Sequence, residues 1–386
     1  MARWLVVGTL CLCGAVLPPA LKLRWTAVAL AKAGQAGQPP AADGSIRILK
    51  VRGNISVIQG AGANITVLTF PEGVTLVDSG AAPMADKVLA AIRTLSSQPI
   101  RYIINTSVSA DHVGGNEKLA GTGSQITGGN VSGQVGTDGA EIIAHEQVLE
   151  RMIARTVQPP VPVRATPQTT YHTDQLKLST VYHGDGIQVF HMPAAHTDGD
   201  SVVYFRHNDV IAAGDVFDTT GYPKIDLERG GGINGVVEAL NRILDVAFPD
   251  FRLEGGTLVI PGHGRICDSA DVAYYRDMVT IVRDRVQDMV KKGLTLDQVK
   301  AARPTRDYDP RYGSTTGTWT TDMFVEAAYK SLSARKPGGP GPRSSSCSSR
   351  SRRPRSEGLS QPKTRRLSIS PATGSPSSPK TGGIGW

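Results

Sequence analysis

The sequence predicts an α/β fold, and three observations carry that reading. Short β-branched runs recur between Gly and Pro turns, amphipathic helical stripes follow them on both halves of the chain, and polar motifs sit where the apolar runs end. With 40% hydrophobic and 5% aromatic residues, the 386-residue chain has the composition of an ordinary soluble α/β protein. Its length suffices for one large domain or two modest ones.

The elements follow in order. Met1-Ala-Arg and the apolar run Trp4 to Leu17 resemble a secretory signal, closed by Pro18-Pro19. Ala27-Val-Ala29 or Ala31-Lys-Ala33 supplies a small-residue cleavage site, so 1–33 reads as signal peptide and 34–44 as linker. An exported protein, periplasmic or secreted, is expected, and the run is too short to leave an integral membrane span. Strands are predicted over Ile46–Val51, Asn54–Ile58, Asn64–Phe70 and Val74–Asp78, separated by Gly53, by Gly60 with Gly62, and by Pro71-Glu-Gly73. A helix follows, with Pro83 in its first turn and Met84, Val88, Leu89, Ile92 and Leu95 as its apolar stripe. Arg101–Ile104 is the next strand. Residues 121–140, rich in Gly, Ser and Thr, read as a loop insertion.

A strand and helix are expected within Glu141–Ala154, then strands near Ile187–Phe190, Ser201–Phe205, Val210–Ala213 and Thr257–Ile260. Helical periodicity returns at 233–247 and 271–292, with shorter helices near 295–302 and 318–333. Beyond Arg335 the chain is Ser, Pro, Gly and Arg, too poor in apolar surface to offset the entropy of ordering. The expected organisation is one domain over 45–334, with a core of 45–270, C-terminal helices over 271–334, and a disordered basic tail over 335–386.

Charge is distributed unevenly. The tail carries 11 Lys and Arg against the single Glu357, and residues 1–42 carry Arg3, Lys22, Arg24 and Lys32 with no acid. From the whole-chain +8 this leaves the body, 43–334, at −6. An acidic body argues against a nucleic-acid-binding domain, while the tail suits weak contact with anionic surfaces. Cys11, Cys13, Cys267 and Cys347 form neither a disulfide framework nor a Cys-x-x-Cys metal spacing. Cys267 reads as a small buried residue.

Five polar motifs each leave a predicted strand. They are Asp78-Ser-Gly80, Asn105-Thr-Ser-Val-Ser-Ala-Asp-His-Val-Gly-Gly-Asn116, Pro193-Ala-Ala-His-Thr-Asp-Gly-Asp200, Gly214-Asp215 and Pro261-Gly-His-Gly264. Any one alone is a weak signal. All five in this order, at strand ends where α/β proteins place chemistry, are a strong one.

The order resembles the metallo-β-lactamase superfamily across residues 45–270. The resemblance implies a four-layer αββα sandwich, two β-sheets face to face with helices outside and the site at one sheet edge. The family's intact loop reads His-x-His-x-Asp-His, two leading histidines for one metal and the Asp-His pair for a second. Here the leading positions are Ser107 and Ser109. Carried over by position, the second metal falls to Asp111, His112 and His263, with Asp215 the bridging carboxylate. His196 matches the remaining histidine of the first site, and Asp78 a residue that steadies the metal loop.

Two imidazoles and two carboxylates balance a divalent ion, so one Zn²⁺ is expected, and Mn²⁺ or Fe²⁺ would accept the same donors. Serine hydroxyls are poor ligands, so the altered first site is expected to hold no metal. His196 and Asp111 are assigned to catalysis, His196 as general base on a water near Ser107 and Ser109. The expected activity is hydrolysis of a small ester, thioester, lactone or amide, β-lactams included. The alternative is a non-catalytic relative that binds a metal or ligand or serves as an interaction module; metal content and turnover separate the two. His145, His172, His183, His191 and His207 match no ligand position, and His191, five residues before His196, is the candidate substitute ligand.

Overall fold

The computed structural model describes residues 45–125, 139–247 and 255–333, all within one compact unit, Met1–Arg335. The expected signal and linker (1–44), most of the 121–140 loop, and the basic tail lie outside the described residues. Among the described residues no helix is long and apolar enough to cross a membrane.

Two β-sheets form in chain order. The first holds β1 (Arg47–Arg52), β2 (Ile55–Gln59), β3 (Ile65–Phe70), β4 (Gly73–Val77), β5 (Ile100–Ile104), β6 (Glu141–His145) and β7 (Thr169–Tyr171), neighbours in that order. The second holds β8 (Gln175–Leu178), β9 (Ile187–Met192), β10 (Asp200–Phe205), β11 (Val210–Ala212), β12 (Leu258–Ile260) and β13 (Cys267–Asp268), again neighbours in order. Short turns make the β1–β4 and β8–β11 runs antiparallel. Helical crossovers make β4–β5, β5–β6 and β11–β12 parallel.

Among the described residues, ten α-helices complete the fold. They are α1 (Ala85–Leu95), α2 (Ala110–Val113), α3 (Asn116–Gly121), α4 (Glu146–Met152), α5 (Thr180–His183), α6 (Ile233–Val246), α7 (Ser269–Lys291), α8 (Leu296–Ala302), α9 (Asp309–Tyr312) and α10 (Thr321–Ser333). The long helix α7 begins on a reciprocal cap, in which Asp268 accepts the Asp271 N–H and Asp271 accepts that of Asp268.

Period-two patterning sorts the side chains into layers. On β9 and β10, Ile187, Val189, Val203 and Phe205 face the opposite sheet, where they meet Ile55, Val57, Leu68 and Ile104. Their neighbours Phe190, Met192, Val202 and Tyr204 face outward onto α6 and α7, against Val236, Leu240 and Met278. The first sheet does the same, turning Val67, Leu76 and Ile103 onto Val88 and Ile92 of α1. Sheets buried on both faces need strands that are apolar throughout, which is why these runs read as nearly continuous Val, Ile and Leu. The molecule is therefore an αββα sandwich. Cys267 is buried, and burial pushes its thiol up to about 12.

Candidate metal centre

Strand ends bring the five motifs together. The loop after β5 is clamped at its base by a reciprocal amide pair. Asn105 Nδ2 donates to Asn116 Oδ1 at 3.2 Å, and Asn116 Nδ2 donates to Asn105 Oδ1 at 2.8 Å. Asp78, just past β4, holds a left-handed backbone (φ 65°), tolerated by a short polar side chain and fixed by its N–H to Ile104 O. Its carboxylate accepts the Thr106 N–H at 2.8 Å and the Thr106 hydroxyl at 2.7 Å. The same Oδ2 lies 2.7 Å from His112 Nδ1. A carboxylate there fixes the proton on Nδ1 and leaves Nε2 as the ligating nitrogen. Asp78 thus links the loop after β5 to the His112 ring.

Asp111, His112 and His263 converge, one donor atom from each lying within 4.8 Å of the others. His263 Nε2 is 2.8 Å from Asp111 Oδ2. His112 is fully buried, and its Nε2 is 3.1 Å from Asp215 Oδ1 without making a hydrogen bond. A buried imidazole nitrogen aimed at two carboxylates and another imidazole, with no hydrogen-bond partner, is what a ligand nitrogen looks like. Nitrogen and oxygen donors in this ratio suit Zn²⁺. The residues fit the ion.

Asp215 sits on a 3-10 turn, Gly214–Val216, directly after β11. Gly214 has φ 55°, and a Cβ there would meet Thr106 Oγ1 at 2.5 Å. Gly262 donates its N–H to Gly214 O at 2.9 Å and would clash there with any side chain. Two glycines thus let the Asp215 and His263 loops touch.

The Asp215 carboxylate is divided. Oδ1 faces His112 Nε2 and lies 3.8 Å from His263 Nδ1. Oδ2 accepts the hydroxyls of Ser107 at 3.2 Å and Ser109 at 2.9 Å, and lies 3.3 Å from His196 Nδ1. The altered first-site residues are therefore brought together, around the oxygen of Asp215 that turns away from the other cluster.

Charges in the cluster support one another. Burial opposes ionisation of Asp111, yet the hydrogen bond from His263 and the charge of His112 hold its carboxyl at about 2. Burial likewise opposes the charge of Asp215, but His112 and His196 keep it well below the usual carboxylate range. Burial disfavours the His112 imidazolium, and Asp215 and Asp78 outweigh it. His196 is raised in the same way, burial being overcome by Asp215 and Asp200. Protons and a divalent cation compete for such a cluster, so acid weakens metal binding.

Two residues have roles the sequence did not reveal. Asp218 is buried, pairs by backbone with His263, and points Oδ2 at His263 Nδ1 from 3.6 Å. Its Oδ1 accepts the Thr220 N–H at 2.7 Å and the Thr220 hydroxyl at 2.6 Å. His263 Nδ1 has no hydrogen-bond partner, so Asp218 is the acid placed to orient the ring. Asp218→Asn keeps the Thr220 contacts and removes the charge. It is expected to weaken zinc binding by about tenfold in competition with a chromogenic chelator. Asp200 anchors the His196 loop by accepting the N–H and hydroxyl of Thr197, both at 2.7 Å.

His191 does not reach the cluster. Its ring stacks on His145 at 3.6 Å between centroids, and its Nε2 lies 2.8 Å from Asp198 O. The alternation that turns Phe190 and Met192 outward commits His191 to the other face of β9, so it is no substitute ligand.

The sandwich and its edge cluster define a metallohydrolase-type protein. A family model, the metallo-beta-lactamase superfamily, matches residues 59–263. The chain belongs to the metallo-β-lactamase superfamily. It is 22% identical over 273 residues to a linear primary-alkylsulfatase of Pseudomonas sp., an alignment covering 60% of this chain and 48% of the relative. The chain thus spans about half the length of the curated relative it matches. Among solved structures, a double mutant of the sec-alkyl sulfatase PisA1 superposes with a TM-score of 0.54 at 14% identity, covering 74% of this chain and 50% of that one. A metallo-beta-lactamase from Pontibacter korlensis superposes with a TM-score of 0.46 at 16% identity, covering 61% of this chain and 99% of that one. These likenesses concern the fold. The family's fold binds divalent metals, and Asp111, His112 and His263 are the candidate site here.

Proposed function

We propose that the protein is an exported metal-dependent hydrolase of small esters, thioesters, lactones or amides, β-lactams included, with one divalent metal on Asp111, His112, Asp215 and His263. The observation that carries this is the divided carboxylate of Asp215. One oxygen serves the imidazole cluster, while the other is occupied by two neutral hydroxyls and His196. The hydroxyls that donate to Oδ2 have no need of a cation, whereas Oδ1 faces the buried His112 Nε2. This nitrogen and His196 Nδ1 both lack a hydrogen-bond partner, so it is the two hydroxyls that distinguish the sides.

When bound, the ion supplies Lewis acidity and a water whose pKa falls to about 7. The chain's own residues do the rest. Asp78 holds the Nδ1 proton of His112, and Asp218 restrains His263. Ser107 and Ser109 keep Asp215 from rotating. His196, buried but opening onto a cavity, is the group placed to move a proton to or from the substrate.

Purified full chain loaded with zinc, manganese or iron is the test. Metal near one per chain is expected. So is turnover, removed by chelation, of at least one class among esters, thioesters, lactones, β-lactams and alkyl sulfates. The last are included because a relative acts on them by name. No bound metal and no turnover across the panel would leave a ligand-binding protein without catalysis, and two metals per chain would overturn the single-site reading.

A further inference from the structure

The short helix α4 supports two loops at once. Val148 and Met152, with Ala144 before them, pack against Val108 and Val113, so α4 backs the segment that carries Ser107 and Ser109. Arg151 pairs with Asp198 in the loop that carries His196. Gly199 of that loop runs against the first turn of α4, where a Cβ would meet Val148 N at 3.1 Å and Gln147 Cβ at 3.2 Å.

The start of α4 depends on a neutral imidazole. His145 is buried at its N-cap, and Nδ1 accepts the Gln147 N–H at 3.3 Å. The ring's own proton is then on Nε2, which is buried without a hydrogen-bond partner. A second proton has only Nδ1 to go to, where the Gln147 N–H already points, and it puts positive charge at a helix N-terminus. The ring also stacks on His191, 3.6 Å between centroids and 8° between planes. His191 donates Nε2–H to Asp198 O at 2.8 Å, so the stack reaches the same loop as Arg151. Tyr171 of β7 meets His145 edge to face at 5.1 Å, its hydroxyl hydrogen-bonded to Ser201. His172, exposed just past β7, adds a like charge when protonated, and Asp198, which favours the imidazolium, is already paired with Arg151. α4 itself adds Glu146, half-exposed, and Glu150, exposed. Burial, then the charge of His191, holds the His145 imidazole down at about 4. Once unseated, the ring returns towards its ordinary value of about 6.5. The free energy that seats α4 is therefore whole above about pH 6.5 and is lost as the pH falls towards about 4.

We propose that α4 is an acid-released brace. The neutral His145–His191 stack seats it, and protonation of His145 frees its first turn together with the loop that carries His196. The switch is reversible and uses none of the four metal ligands. It stands without the hydrolase reading; only its consequence, loss of His196 placement and so of turnover in acid, rests on that reading.

Amide hydrogen exchange on the full chain, with zinc and after dialysis against EDTA, tests it between about pH 7 and about pH 4.5. Corrected for the intrinsic exchange rate, protection over 146–152 and 193–200 is expected to fall about tenfold or more in both forms and to return at neutral pH. Protection of β3 and α7 should hold. Followed by NMR, the His145 ring should titrate below the ordinary histidine range. His145→Asn keeps a capping oxygen and cannot take up the proton, so its protection should be the same at both ends of the range. Thermal unfolding at neutral pH shows that this variant is folded. The proposal is overturned if protection of the two segments in the parent does not change, or if every segment loses it together. It is equally overturned if only the zinc-loaded chain responds, if His145 titrates at its ordinary value, or if folded His145→Asn responds as the parent does. An acid transition in a chain without turnover at any pH would sink the hydrolase reading alone.

Discussion

A His263→Ala protein is expected to retain no zinc at concentrations that saturate the parent chain, and to lose with it any hydrolytic activity. His263 is one of three groups whose donor atoms meet within 4.8 Å, and its side chain is 18% exposed. Removing it takes away a ligand at small cost to the fold. Loss of an outer-shell partner alone weakens metal sites by roughly 10- to 100-fold, so loss of a ligand exceeds that. His112→Ala should lose the metal equally but the stability as well. The buried ring stands between Asp78 at 2.7 Å and Asp215 at 3.1 Å. Without it two buried carboxylates lose their partner, a change of about 3–5 kcal/mol in comparable sites. Chelator competition and urea unfolding separate the two variants. If His263→Ala holds zinc like the parent, the ligand assignment is wrong.

Much of the fold was legible because the sandwich makes physical demands that leave marks in sequence. Strands buried on both faces, such as β3 and β10, must be apolar at nearly every position, and their turns need Gly or Pro. The helices α1 and α6 pack one face each and show that periodicity. What escaped were the pieces with no such demand. β8, Gln175-Leu-Lys-Leu178, is an edge strand of alternating exposure. β13 has two residues, and β7 three. Each exists because a neighbour offers hydrogen bonds, which only the folded chain reveals. The site divides along the same line. Asp78, Asp111, His112, His196, Asp215 and His263 stand at strand ends in a recognisable order, and the structure gathers them. Asp218 carries no motif; its one local sign is an acid directly after Val216 and Phe217, both buried.

Restoring imidazoles at the two altered positions is the complementary experiment, and its expected effect is a gain. Ser107 and Ser109 already direct their hydroxyls at Asp215 Oδ2, and His196 Nδ1 lies 3.3 Å from the same oxygen. In Ser107→His/Ser109→His, two neutral nitrogen donors would join His196 and the shared carboxylate, a set that suits zinc where hydroxyls do not. Metal analysis should then rise from one zinc per chain to two. The single Ser107→Ala change should leave metal content as it is and cost about 1 kcal/mol for the lost hydrogen bond. Ser107 is fully buried, so a ring there strains the packing by about 1–3 kcal/mol, whereas Ser109 is half-exposed and has room. Thermal unfolding measured beside the metal content shows whether the double variant is folded. A folded double variant that still binds one zinc would mean that more than the two hydroxyls closes the first site, and that the division of Asp215 between its oxygens is not what sets the stoichiometry.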